Sequence, residues 1–207
     1  NLFPAWSNDS RAQVKLENLL GMASDLTWNE GYGAVSDVTR MLYLEPDMAA
    51  FGLKAGLGTP DGSRIGNEWN YSSGTSVLVT KYWHDKVGAE AVNLPRKTLF
   101  QPLGMDSAVI EADSAGTLVG GSYMYATARD WARFGHFLLQ DGTWNGEKLL
   151  PDGFAQWMKE THPASEGRYA QGHLWREPPR RTADRGQPVP EPLQNTVWLA
   201  GHDGQSV

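Results

Sequence analysis

The sequence predicts a folded protein of the mixed α/β class. Its composition is 40% hydrophobic and 20% charged, which is ordinary for a globular protein and argues against overall disorder. Several segments carry apolar residues at helical spacing, and two short segments near the carboxyl end have the character of strands. A chain of 207 residues is long enough to bury one substantial core, which favours a single domain.

Two helices are the best defined by their patterns. The segment from Ala128 to Leu139 follows Thr127, a residue type that caps helices, and places Trp131 and Phe134 on one apolar side. The segment from Ser73 to Val87 also predicts an amphipathic helix. Shorter helices are predicted over Lys15 to Met22, Gly31 to Leu44 and Pro46 to Leu53, the last with its proline at the helix start.

The strand-like segments are Ala170 to Trp175 and Thr196 to Ala200. Residues 176–195, between them, are rich in Pro, Arg, Glu and Asp and show no periodicity. We therefore expect an exposed loop there. The sequence contains no internal repeat.

Composition narrows the classes of function. The formal net charge is −6 and the longest basic run is the pair Arg180 and Arg181, so a nucleic-acid partner is not expected. The absence of cysteine excludes disulfides, thiolate metal sites and a Cys nucleophile, and leaves the compartment open. No stretch approaches the roughly 18 apolar residues of a membrane span, and residues 1–6 do not form a signal peptide.

The common catalytic signatures are also missing. Gly-x-Ser-x-Gly, the nucleophile elbow of α/β-hydrolases, does not occur. Nor does Ser-x-x-Lys, in which one helical turn brings an amine to a serine hydroxyl. The five histidines show no zinc-binding spacing, and the glycine-rich segments do not fit a phosphate-binding loop.

Five segments nevertheless follow one another in a recognisable order. They are Trp69–Thr75, which includes Tyr-Ser-Ser, Leu99–Met105, which ends in Pro-Leu-Gly-Met, Gly120–Ser122, Ala126–Gly135, and Gly201–Gln205, which contains His-Asp-Gly. In this order they resemble the motifs of the serine hydrolase superfamily of penicillin-binding proteins and class C β-lactamases, including esterases and 6-aminohexanoate-dimer hydrolases. Each motif alone is weak, but the ordered set is specific.

The resemblance covers about residues 17 to 207 and a little over half of a typical family member. It implies a β-lactamase-like fold, an antiparallel sheet flanked by helices plus a helical region, which would be incomplete in this chain. It also implies that a preceding segment carries Ser-x-x-Lys and that further strands follow. No metal or organic cofactor is implied, and a periplasmic or exported location is favoured.

The implied activity is hydrolysis of a small ester, linear amide or β-lactam-like substrate through an acyl-enzyme. By resemblance, Tyr71 is the acid/base partner of the missing serine and lysine. His202 would donate to the tyrosine or to the substrate, Gly204 would let the substrate approach the backbone, and the Gln205 N–H would bind the oxyanion. The alternative for Tyr71 is a buried structural tyrosine at a helix start.

The implied substrate contacts are less specific. Ser73 stands where class C β-lactamases have an asparagine, which favours ester or linear amide substrates over β-lactams, although helix capping also explains a serine there. Further candidates for the rim of the cleft are Gly121, Tyr123, Asp203 and Trp69, and the aromatic ones among them could equally be core residues.

A different class of function shares these features. A binding or sensor protein could keep the scaffold and the cleft and lack the chemistry. The Ser-x-x-Lys motif, expected roughly 50 to 150 residues before Tyr71 by the resemblance, separates the two hypotheses.

Overall fold

The computed structural model describes residues 1–176, 196–202 and 204–207. Most of the described chain is helical or irregular. The α-helices are α1 (Leu16–Leu20), α2 (Asp37–Leu44), α3 (Met48–Gly52), α4 (Ser73–Val87), α5 (Gln101–Leu103), α6 (Ala128–Leu139) and α7 (Phe154–Lys159). A π-helical segment, Arg96–Phe100, leads into α5, and short 3-10 turns cover Pro4–Trp6, Ser10–Gln13, Gly88–Glu90 and Pro163–Ser165.

The strands are short and pair antiparallel. Strand β1 (Val109–Ile110) pairs with β2 (Met124–Tyr125), and β3 (Thr143–Trp144) pairs with β4 (Glu147–Lys148). Isolated bridges add three further antiparallel contacts near the carboxyl end, at Tyr169 with Trp175, Trp175 with Trp198, and Ala200 with Ser206. The mixed α/β class is thereby confirmed, with sheet structure limited to short pairs among the described residues.

Helix α4 is the element on which α1, α2 and α3 pack. It begins after Ser72, whose hydroxyl accepts a hydrogen bond of 3.0 Å from the backbone N–H of Thr75. Its residues from Ser73 to Leu78 are buried. Val77 faces the core formed with α2 and α3, whereas Leu78 faces the core formed with the amino-terminal segment. Each such side chain contributes about 1.5–3 kcal/mol by leaving water, so α4 joins two cores.

Three apolar clusters make up the core of the described chain. The first joins α2, α3 and α4, and the third joins the amino-terminal turns to α1 and α4. The second lies around α5, α6 and α7 and contains Phe100, Leu103, Met105, Ala108, Phe137, Leu138 and Ala155. No helix in the described part of the chain has both the length and the apolar character needed to cross a membrane.

Helices α4 and α6 have the predicted bounds, and the predicted cap of α6 is confirmed. The Thr127 hydroxyl accepts from the backbone N–H of Asp130. By contrast, α2 begins at Asp37 and not at the predicted Gly31, because Ser36 caps the helix and residues 31–35 are irregular.

The prediction that a proline begins α3 is wrong. Asp47 is the cap of this helix, because its carboxylate accepts a 2.8 Å hydrogen bond from the backbone N–H of Ala50. Pro46 therefore lies one residue outside the helix. A capping carboxylate determines where a helix starts because it accepts from a free backbone N–H, whereas proline is merely tolerated in the first turn.

The prediction of a single strand from Ala170 to Trp175 is also wrong. The chain folds back on itself there, with the Ala170 N–H donating to the Leu174 carbonyl at 2.8 Å and Tyr169 pairing with Trp175. His173 makes the turn possible with a φ of 63°, a left-handed conformation that is uncommon for residues other than glycine. The predicted loop over residues 176–195 lies outside the described residues except for Arg176.

Candidate active site

Tyr71 lies immediately before α4 and is half-buried among aromatic rings. Its ring centre is 5.0 Å from that of Trp175 and 6.0 Å from that of Tyr169. Trp69 joins the same group, with ring centres 5.8 Å from Tyr169 and 5.9 Å from Trp175. The start of α4 thus brings Tyr71 against the turn at residues 169–175.

The surroundings of Tyr71 favour its neutral form. Burial is the main cause and, together with the nearby Glu30 carboxylate and Tyr32 phenol, raises the pKa of Tyr71 to about 12. Desolvation and like charge both disfavour a phenolate. At neutral pH the phenol of Tyr71 is therefore protonated in this chain and is able to donate a proton or a hydrogen bond.

Glu30 ties the irregular segment before α2 to the start of α4. One carboxylate oxygen accepts from the Trp28 indole N–H at 2.6 Å and from the backbone N–H of Ser73 at 2.9 Å. The other oxygen accepts a short hydrogen bond from the Ser73 hydroxyl. A carboxylate at the amino-terminal end of a helix is favourably placed against the helix dipole. The Ser73 hydroxyl is consequently already engaged.

Tyr32 links this group to the His-Asp-Gly segment. Its phenol approaches the Ser73 hydroxyl and the Glu30 carboxylate, and burial followed by the charge of Glu30 raises the pKa of Tyr32. Its ring stacks on the imidazole of His202, with centres 3.9 Å apart and planes 26° apart. His202 therefore contacts Tyr32, and Tyr32 in turn is near enough to Tyr71 to affect its pKa.

The segment that carries His202 is a small hairpin. Leu199 and Val207 exchange two backbone hydrogen bonds of 2.9 Å, and the Gly201 N–H donates to the Gln205 carbonyl at 2.8 Å. Gly204 has a φ of 90°, which a residue with a side chain rarely adopts. The hairpin is held to Trp175, since Trp175 and Trp198 exchange backbone hydrogen bonds of 2.9 and 2.8 Å.

His173 fixes the turn at residues 169–175 to two helices. Its Nδ1 lies 2.7 Å from the Leu20 carbonyl oxygen, and its Nε2 lies 2.9 Å from the Ser76 hydroxyl oxygen. Because a carbonyl only accepts, Nδ1 carries the proton and Nε2 accepts from Ser76. Burial lowers the pKa of His173. A neutral imidazole thus holds Tyr169 and Trp175 in place beside Tyr71.

A second buried histidine supports the same region. The His162 ring packs over Gly21, so closely that a Cβ added at Gly21 would lie 2.2 Å from its Cδ2 atom. Its Nδ1 accepts from the backbone N–H of Ala164 at 3.2 Å. Burial lowers the pKa of His162 as it does for His173, while Glu17 acts weakly in the opposite direction.

Because of His162 and His173, we expect the folded chain to lose stability in mild acid. Their pKa values are lowered in the folded state, whereas in the unfolded chain a histidine titrates near pH 6.5. Below about pH 6.5 the unfolded state therefore binds more protons, and the free energy of unfolding falls as the pH drops toward the folded pKa values. We expect urea unfolding at pH 5.5 to have a lower midpoint than at pH 7.5.

The exposed His136 provides the matched control for this titration. His136→Gln should keep the pH dependence, whereas His162→Gln or His173→Gln should reduce it. A free energy of unfolding that is the same at pH 5.5 and pH 7.5 would contradict the prediction.

The remaining predicted site residues lie in different surroundings. Trp69 is half-buried, and its ring is covered by the Arg168 guanidinium at 4.6 Å. Among the described residues, the Trp69 indole N–H has no hydrogen-bond partner. Asp203 lies outside the described residues. The Gln205 side chain folds against Gly201.

Gly121 and Tyr123 contact helices rather than Tyr71. A Cβ added at Gly121 would lie 2.9 Å from the Ser73 carbonyl oxygen, so the loop packs directly on the first turn of α4. The Tyr123 hydroxyl donates to the Leu42 carbonyl at 3.1 Å, and Tyr123 has a φ of 60°. These contacts give both residues a packing role, and a role at the rim of a cleft stays a prediction.

A cavity of about 170 Å³ borders Trp69 from another direction. Its walls include Asp25, Arg64 and Asn70. Arg64 lies 3.3 Å from the buried carboxylate of Asp25. Asn70, which precedes Tyr71 in the sequence, lines this cavity, whereas Tyr71 does not.

Sequence reasoning missed Glu30, Tyr32, His173 and Tyr169. Glu30 and Tyr32 lie beside the glycines at positions 31 and 33, where the pattern predicts the start of a helix. Polar and aromatic residues alternating with glycine in an irregular segment are the one signal that could have identified them. For His173 and Tyr169, no local pattern gives such a signal.

Similarity to known proteins was found through structure alone. No protein-family model and no curated protein matches the sequence. Among solved structures, a candidate beta-lactamase from Bacteroides dorei DSM 17855 matches with a TM-score of 0.63 and 18% identity over 84% of this chain and 55% of that chain. A candidate 6-aminohexanoate-dimer hydrolase from Bacillus anthracis matches with a TM-score of 0.67 and 20% identity over 83% of this chain and 49% of that chain.

The two matches agree with the fold that the ordered motifs implied. At 18% and 20% identity they establish the fold and leave the chemistry open. The chain spans about half the length of these two proteins. Over the residues that match, it therefore has a β-lactamase-like fold.

Proposed function

We propose that the intact protein is a serine hydrolase that forms an acyl-enzyme on a small ester, linear amide or β-lactam-like substrate. The nucleophile and its lysine would come from a Ser-x-x-Lys segment outside these 207 residues. Both similar structures carry names of hydrolases, which supports this class of reaction. No cofactor is required by the proposed chemistry.

The grouping of Tyr71, Tyr32 and His202 carries this proposal. Tyr71 is a phenol at the start of a buried helix, and His202 reaches the same group by stacking on Tyr32. The hairpin of His202 is also held through Trp198 to Trp175, which packs on Tyr71. In the intact protein, the Tyr71 phenol and the His202 imidazole would be able to relay protons during acyl transfer.

Tyr71 would act as the proton relay between the serine and the leaving group. With a pKa of about 12 it does not serve as a base in this chain alone. A lysine ammonium brought against the phenol would favour the phenolate and lower this pKa. The serine hydroxyl then adds to the substrate carbonyl, its proton passes through Tyr71 to the leaving group, and water later releases the acyl group. The Gln205 N–H would help to bind the oxyanion.

The engagement of Ser73 favours esters and linear amides within this range. Its hydroxyl donates to Glu30 and its backbone N–H does the same, so neither is free to bind a substrate carbonyl. The asparagine that class C β-lactamases have here supplies an amide donor with greater reach. The binding or sensor alternative predicts the same scaffold without acyl transfer, so a covalent probe separates the two functions.

The intact protein should be labelled covalently by a fluorophosphonate probe at the serine of a Ser-x-x-Lys motif. The 207-residue chain alone serves as the control and should take up no label, because it contains no such motif. It should likewise fail to hydrolyse p-nitrophenyl butyrate above background. An intact protein that folds, yet neither reacts with the probe nor turns over esters, would favour the binding protein.

A further inference from the structure

Glu30 lies between the two groups on which the proposed chemistry depends. In the sequence it stands two positions before Tyr32, and its partner Ser73 stands two positions after Tyr71. Tyr32 in turn stacks on His202. We propose that Glu30 is a positioning residue, which aligns Tyr71 with His202 by fastening its own segment to the first turn of α4. The part that this alignment plays in catalysis rests on the proposed function, whereas the alignment itself is a property of the 207-residue chain.

The carboxylate of Glu30 accepts hydrogen bonds from both sides of this junction. On the side of α4, it accepts from the Ser73 backbone N–H at 2.9 Å and, over a short distance, from the Ser73 hydroxyl. On the side of its own segment, it accepts from the Trp28 indole N–H at 2.6 Å. Hydrogen bonds to an ionised acceptor are shorter and stronger than those between neutral groups. Three of them on one carboxylate fix its rotamer and hold the backbone at residue 30 against α4.

The ring of Trp28 adds a packing contact at the same junction. A Cβ added at Gly74 would lie 2.6 Å from ring carbons of Trp28, so the indole lies directly on the first turn of α4. On the opposite side, the backbone N–H of Asn29 donates to the Asp37 carboxylate at the start of α2, at 2.9 Å. This stretch is thereby attached to two helices just before the chain reaches Tyr32.

The backbone around Tyr32 gives this attachment its importance. Gly31 and Gly33 flank the residue, and the chain there forms neither helix nor strand. A Cβ added at Gly33 would meet no atom within 4 Å. Glycine leaves the backbone free to adopt many conformations. The stack of Tyr32 on His202, with ring centres 3.9 Å apart, therefore depends on the anchored residue next to the first glycine, which is Glu30.

The charge of Glu30 also acts on the candidate acid/base group. It is the second cause, after burial, of the raised pKa of Tyr71. The proposed mechanism brings a lysine ammonium against Tyr71, and the same carboxylate would attract that ammonium because their charges are opposite. Glu30 therefore acts on Tyr71 both through hydrogen bonds and through its charge. Substitutions separate the two effects.

The imidazole of His202 reports the alignment in the 207-residue chain. Protons over the face of an aromatic ring are shielded, so the stack on Tyr32 shifts the carbon-bound protons of this imidazole to lower frequency in an NMR spectrum. Glu30→Ala removes the anchor and should move these signals toward those of an unstacked histidine, and Ser73→Ala should move them part of the way. His202→Gln identifies the signals. The control Glu147→Ala, on the exposed strand β4, should leave them unchanged.

In the intact protein, Glu30→Ala should lower the kcat for p-nitrophenyl butyrate about 10- to 100-fold and change KM little, because misalignment of reacting groups slows the reaction more than it weakens binding. Glu30→Gln keeps the length of the side chain and an acceptor oxygen, so it should recover part of the rate. It lacks the charge that raises the pKa of Tyr71, so its rate should rise at a lower pH than that of the wild type. A purely structural residue would not move this pH profile.

Unchanged His202 signals in a folded Glu30→Ala chain would overturn the proposal, and so would a wild-type kcat of the intact variant. If Glu30→Ala does not fold, unchanged signals in Ser73→Ala decide against the proposal instead. Shifted signals in the 207-residue chain, together with an intact protein that fluorophosphonate does not label, would remove the hydrolase and support the alignment. Labelling of the intact protein with unchanged His202 signals would do the reverse, so the two proposals fail separately.

Discussion

If the intact protein is the proposed hydrolase, replacement of Tyr71 by phenylalanine should lower its kcat by about 10²- to 10⁴-fold, the usual contribution of a group that transfers protons in the transition state. The change removes one oxygen and keeps the ring that packs on Trp175 and Tyr169. We therefore expect KM to change little. Initial rates with p-nitrophenyl butyrate at several pH values measure the effect.

The control for this substitution is a tyrosine whose hydroxyl has no proposed part in the chemistry. Tyr125 on β2 is 52% exposed, and Tyr125→Phe should retain the wild-type kcat. Urea unfolding of Tyr71→Phe should show a stability close to that of the wild type, because no hydrogen bond is formed by the Tyr71 hydroxyl within the described residues. A wild-type kcat in Tyr71→Phe would exclude Tyr71 from the mechanism and leave it a structural residue.

The parts of the fold with local signals were predictable from the sequence. Helix α6 has both a capping threonine and an apolar side, and α4 has Ser72 at its cap and a run of buried residues after it. Local pairs of this kind act within one turn, so their effect is visible in a short stretch of sequence. The ordered motifs around Tyr71 and His202 likewise gave the fold that the similar structures share.

The contacts that assemble the candidate site were not predictable in this way. Glu30 meets Ser73 across 43 positions, and His173 meets Leu20 across 153. No periodicity relates residues so far apart. The turn at His173 also depends on a left-handed backbone conformation, which a histidine in the sequence does not indicate. The sequence motifs indicated Tyr71 and His202. The residues that surround them, such as Glu30 and His173, are identified only in the folded chain.

The same contacts explain why the site depends on groups distant from it. Tyr71 itself forms ring contacts with Tyr169 and Trp175, and these two residues flank the turn that His173 secures. The hairpin of His202 is attached to the same Trp175 through Trp198. A substitution at His173 should therefore disturb the positions of both Tyr71 and the His202 hairpin, although His173 takes no part in the proposed chemistry.

His173→Ala should lower the free energy of unfolding by about 2–4 kcal/mol. The change opens a cavity and leaves the Leu20 carbonyl and the Ser76 hydroxyl without their buried partner, and each of these effects is costly. Urea unfolding of the 207-residue chain at pH 7.5 measures the loss. The emission of the tryptophans should shift to longer wavelength, because Trp175 becomes more exposed when the turn at residues 169–175 is released.

Two further substitutions separate the roles of the imidazole. Asparagine tolerates the left-handed conformation and keeps one donor, so His173→Asn should recover part of the stability lost in His173→Ala. Ser76→Ala removes only the hydroxyl that donates to Nε2 and should cost about 1 kcal/mol. If His173→Ala is as stable as the wild type, the imidazole does not hold the turn, and the position of Trp175 beside Tyr71 must depend on the backbone pairing with Trp198 instead.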